Sequence, residues 1–94
     1  MTYEELLHAF GEVVKLLPEE FDSHEFIREF IFNCPQPYGR LLIKHNNVST
    51  AHGEIANILR NNSCRLNIEQ SGYKVYSNDI FGRQALNALW HKTD

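Results

Sequence analysis

Apolar residues near the start of this 94-residue chain recur at helical spacing. Leu6, Phe10, Val13, Val14 and Leu17 fall on one face of a helix, and Thr2 with Glu5 has the pattern of a capping box at its start. Pro18 ends that helix, because the residue before a proline is pushed out of helical geometry. A second helix is predicted to open at Asp22 or Ser23. Asp22 and Glu25 repeat the capping-box pattern, and Phe21 can staple onto Phe26. Its inward stripe is Phe26, Ile27, Phe30 and Ile31, and it stops before Pro35. Pro37 suits the first turn of a third, short helix, which runs to Lys44 or His45 and buries Tyr38, Leu41 and Leu42. Asn46-Asn47 reads as a turn, since Asn tolerates left-handed backbone geometry. A fourth helix is predicted from Ser49 or Thr50 to Asn61, with Ala51, Ile55, Ile58 and Leu59 inside.

After Asn61-Asn62-Ser63 the period changes. Cys64, Leu66 and Ile68 alternate with Arg65, Asn67 and Glu69, the two-residue period of a half-buried strand. Gln70-Ser71-Gly72 supplies a turn, with Gly72 for a positive φ, and Tyr73 to Tyr76 return as the partner strand. Ser77-Asn78-Asp79 breaks that strand ahead of a short turn holding Ile80 and Phe81. Gly82 then opens onto a last helix through Trp90 and His91, with Ala85, Leu86, Leu89 and Trp90 facing the core. The expected fold is mainly α with one β-hairpin (α+β), a compact five-helix domain over residues 1–94. A helical trio followed by a hairpin resembles winged-helix domains in element order. That resemblance implies that the helix before the hairpin enters a major groove while the hairpin touches the DNA backbone or minor groove.

Composition places the chain among folded globular domains. Its residues are 43% hydrophobic and 12% aromatic, and this length suits a single core. Its longest apolar stretches, such as Leu41-Leu42-Ile43, are far too short to cross a bilayer. The acidic start lacks the basic segment and apolar run of a signal peptide. The expectation is a soluble cytoplasmic protein with no membrane partner. Cys34 and Cys64 are too few and too far apart for a disulfide framework, and read as reduced thiols.

The net charge of −3 conceals a gradient. Residues 1–37 hold eight acids against Lys15 and Arg28, a net of −6, whereas residues 38–94 hold seven bases against four acids, a net of +3. Such asymmetry can mark a face that meets a polyanion. On the fourth helix, Thr50, Gly53, Asn57, Arg60 and Asn61 are expected to face outward. Asn57 could read adenine, Arg60 guanine or phosphate, and Thr50 a phosphate. Arg65 and Lys74 on the expected hairpin, with Arg40 and Lys44 on the third helix, complete the candidate nucleic-acid contacts. The excess is modest: the reading helix carries one base, Glu54 lies beside its outward stripe, and phosphate neutralisation supplies most of the affinity for DNA. His45-Asn46-Asn47 also lacks the glycine common in the turn of a helix-turn-helix.

Other chemistries find no motif. His8, His24, His45, His52 and His91 include no i, i+4 pair, and no two cysteines stand at finger spacing, so no metal or cofactor is implied. Ser49, Ser63, Ser71 and Ser77 sit at predicted caps and turns, and no nucleophile signature accompanies them. The leading expectation is a non-enzymatic module that binds double-stranded DNA. The alternative is a protein-interaction or assembly module, a homodimer or an adaptor, that uses exposed aromatics. Phe32 falls off the stripe of its helix, and Tyr73 and Tyr76 are expected to point to opposite faces of the hairpin.

Overall fold

The computed structural model describes residues 1–93 and contains, among them, four helices and one three-stranded antiparallel sheet. The order is α1 (Tyr3–Leu16), β1 (Glu20–Asp22), α2 (Ser23–Asn33), α3 (Pro35–His45), α4 (Val48–Asn61), β2 (Ile68–Asn78) and β3 (Gln84–Lys92). The strands lie in the order β1-β3-β2, so the last strand of the chain is the central one.

The helices follow the local signals. Both capping boxes form: Thr2 accepts from the Glu5 amide, and Asp22 accepts from the Glu25 amide at 2.8 Å. Phe21 packs on Phe26 across the start of α2, with centroids 6.5 Å apart. Asn46 takes the left-handed conformation at the end of α3 (φ 51°), and Asn47 caps α4 by accepting from the Thr50 amide at 2.9 Å. Ala51, Ile55, Ile58 and Leu59 are all buried, as the spacing predicts. Phe10, Phe26 and Phe30 meet at the core centre, with Phe10 4.9 Å from Phe26 and 5.0 Å from Phe30. Both cysteines are free.

The second half departs from the expected plan. There are four helices and a three-stranded sheet rather than five helices and one hairpin, which overturns the winged-helix-like arrangement; the broader α+β class fits. Residues 84–92 form β3, not a helix. Their Gln, Ala and Leu residues favour helix intrinsically, but here pairing decides. Phe21 stands opposite Trp90 on one side of β3, and Gln70 opposite Trp90 on the other. A strand enclosed by neighbours near the core buries side chains on both faces. Leu89 and Trp90 are accordingly both buried, and the alternation that marks a half-exposed strand is lost.

The hairpin is also displaced. Residues 62–67 are turns, and β2 continues straight through the segment expected to reverse. Gln70 pairs with Trp90 and Lys74 with Ala88, so Ser71, Gly72 and Tyr73 stand opposite Leu89 as a bulge. The reversal comes at Asp79–Arg83. There the Asp79 carboxylate accepts from the Phe81 and Arg83 amides, and Gly82 supplies the positive φ of 79°. No helix among the described residues is long and apolar enough to cross a membrane.

Candidate nucleic-acid interface

Strand β1 ends where α2 begins, so the helix start sits beside the stretch of β3 that β1 no longer covers. Polar side chains bind the two together. The His24 amide donates to Asn87 Oδ1 (2.9 Å), and the Asn87 amide group donates to the Val75 carbonyl (3.0 Å) and to Ser77 Oγ (3.1 Å). His24 Nδ1 lies 2.8 Å from the same Ser77 oxygen. Trp90 Nε1 donates to Ser23 Oγ (3.1 Å), and Arg28 donates to the Asn78 carbonyl (3.2 Å). These contacts fix the angle at which the β2–β3 hairpin leaves the helical body.

A groove of about 350 Å³ opens between that hairpin and α4. Trp90, Ile27 and Ala88 contribute to its apolar lining, and Arg60 on α4, Lys74 on β2 and Arg83 beyond the turn contribute its cations. Asp79 is the one acid among its described lining residues. At one end the turn meets α4 through aromatic contacts. The Phe81 ring stacks on His52 at 6.5 Å, and the Arg83 guanidinium lies 5.2 Å from the centre of the Phe81 ring. His52 Nε2 is also 2.8 Å from the Tyr38 hydroxyl. Burial holds the His52 imidazole below its usual pKa; His24 adds to that lowering and Asp79 opposes it. The Asp79 carboxyl is lowered despite its own desolvation, through the Arg83 and Phe81 amides and the Arg83 charge.

Thr50, Gly53, Asn57, Arg60 and Asn61 are exposed on α4, on the face expected from the spacing. Arg60 and Lys74 come together at the groove. Asn57 lies against Arg60, whose Nη1 donates to its side-chain oxygen at 2.8 Å. The Thr50 hydroxyl donates to Asn47 within the helix cap. Glu54 turns towards α3, 3.0 Å from His45 Nε2. Arg40 and Lys44 line a separate recess beside Met1, Thr2 and Tyr3. Arg65 belongs to the turns before β2, not to the hairpin, and forms an ion pair with Glu4.

Sequence reasoning missed Arg83, Phe81, His52 and His24 as groove residues. Arg83 had a local signal, since a base immediately after a Gly turn is presented at its tip. The others depend on contacts between segments remote in sequence. The Ser77–His24 contact resembles part of a nucleophile–base pair, yet its geometry is that of a strut. Asn87 also donates to the serine oxygen, and among the described residues no carboxylate bonds the imidazole to orient it as a base. Among the described residues no group of three His, Cys, Asp or Glu side chains could hold a metal ion. No family model, no curated protein and no solved structure matches the chain.

Proposed function

We propose that this chain is a non-enzymatic nucleic-acid-binding module that engages double-stranded DNA along the groove between α4 and the β2–β3 hairpin. The observation that carries this reading is that Arg60, Lys74 and Arg83, from three separate segments, line one groove with a single acid among its described lining residues. Cations lining one groove neutralise phosphates and release their counterions, the main source of affinity for DNA. The exposed polar edge of α4, with Asn57 beside Arg60 and Thr50 at the other end of the helix, supplies groups able to bond phosphate or a base edge. The hydrogen bonds from α2 to Asn87 and Ser77 hold the hairpin in place, so less conformational freedom is lost on binding.

The test is a fluorescence-anisotropy titration of a labelled mixed-sequence duplex at 50 mM salt. Arg60→Ala with Lys74→Ala is expected to weaken binding by roughly tenfold or more. Arg40→Ala with Lys44→Ala, in the separate recess, is expected to change it by less than about threefold. Equal losses in the two double variants would contradict the assignment of the groove. A protein-interaction reading is favoured by a different observation. Phe32 on α2 and Ile43 on α3 are each 82% exposed, and large apolar side chains left in water are typical interface anchors. Light scattering tests its homodimer form: a monomer at all concentrations excludes it.

A further inference from the structure

The preference of the groove for one form of DNA follows from the side chains next to its cations, and rests on the reading of the groove as a nucleic-acid interface. Tyr76 pairs with Leu86 and Lys74 with Ala88 on neighbouring positions of the hairpin. Residues directly opposite in an antiparallel pair share a face, as do residues two apart on one strand. Lys74, Tyr76, Leu86 and Ala88 therefore form one surface. Lys74, Leu86 and Ala88 line the groove, and Tyr76, opposite Leu86, lies on the same face of the hairpin beyond that lining. Tyr76 is 70% exposed, and the Phe81 ring at the turn is 56% exposed although it stacks on His52.

A protein partner suits this face poorly. Lysine is depleted from the cores of protein interfaces because burying its charge is costly. An unpaired stretch of nucleic acid satisfies both kinds of group, with phosphates on Lys74 and Arg83 and a base face on Tyr76, while the Phe81 ring is already held between His52 and Arg83. We propose that the hairpin face of the groove stacks unpaired bases, so that the preferred ligand is a duplex carrying a single-stranded extension.

The experiment compares three labelled DNAs at 50 mM salt: a blunt duplex, the same duplex with a ten-nucleotide thymidine overhang, and the free ten-nucleotide strand. The overhang is expected to tighten binding by about tenfold over the blunt duplex, the effect of one or two stacked bases. Tyr76→Ala should lower affinity for the overhang DNA several-fold more than affinity for the blunt duplex, and Tyr76→Phe should retain the gain, since a phenyl ring stacks without the hydroxyl. An overhang bound no more tightly than the blunt duplex would overturn the proposal and leave the groove as a duplex site. A Tyr76→Ala loss equal on blunt and overhang DNA would overturn it as well, showing a general effect on the hairpin. Failure of all three DNAs to bind would instead overturn the nucleic-acid reading, and this inference with it.

Discussion

At the residue scale, three positions bear most directly on the site. Gly82 turns the hairpin at φ 79°, and nothing lies within 4 Å of where a Cβ would stand. The cost of Gly82→Ala is therefore one of backbone strain alone, about 1 kcal/mol in chemical denaturation. Trp90 is enclosed by the core and bonded to Ser23. Trp90→Ala should cost about 3–5 kcal/mol, whereas Trp90→Phe should cost clearly less because the ring volume is largely kept. His52 gives a pH signature. Its folded pKa lies below the ordinary 6.5, with burial the leading cause, so the unfolded chain binds this proton more readily. Its contribution to stability is complete above the unfolded value and declines as pH falls through about 6.5 towards the folded one. An NMR titration should place the His52 midpoint below that of an exposed histidine, and His52→Gln should flatten the dependence of unfolding on pH in that window. A midpoint at or above 6.5 would contradict the packing of the turn against α4.

At the scale of elements, the helices were legible and the sheet was not. Each helix carries its own start and stop: Thr2 with Glu5, Asp22 with Glu25, Pro18, Pro35, and Asn46 with Asn47. These signals act within a turn of chain and do not need the rest of the molecule. Segment 84–92 has no such independence. Its Ala, Leu and Gln content points to a helix, and only the presence of Phe21 and Gln70 on its two sides makes it a strand. Gly72 misled for a related reason: a polar Gln-Ser-Gly run looks the same in sequence whether it reverses the chain or bulges within a strand. One of the three groove cations was placed by the same local signal. Arg60 projects from a face fixed by helical periodicity, whereas the nearness of Lys74 and Arg83 to it is a product of the sheet. A conservative change tests the reassigned element. Gln84 is exposed on β3, and Gln84→Thr should raise stability by a few tenths of a kcal/mol if the backbone is extended, but lower it in a helix.

At the scale of the whole molecule, the charge gradient along the sequence becomes a set of ion pairs on α1 and a basic groove beside α4. Lys15 pairs with Glu12, and Arg65 with Glu4, so acids of α1 absorb two bases, one of them from the basic half of the chain. Arg60, Lys74 and Arg83 are left at the groove with Asp79, which bridges to Arg83 at 3.3 Å. The central claim is that these three cations act together on phosphates. The most direct measurement is the dependence of duplex affinity on salt between 50 and 200 mM. Three contacts predict that log K falls against log salt with a slope of about −2.7, roughly a 40-fold loss across that range. The Arg60→Ala, Lys74→Ala variant, with one contact left, should fall to a slope of about −1. No binding at 50 mM salt, or a variant whose slope equals that of the parent, would contradict the account.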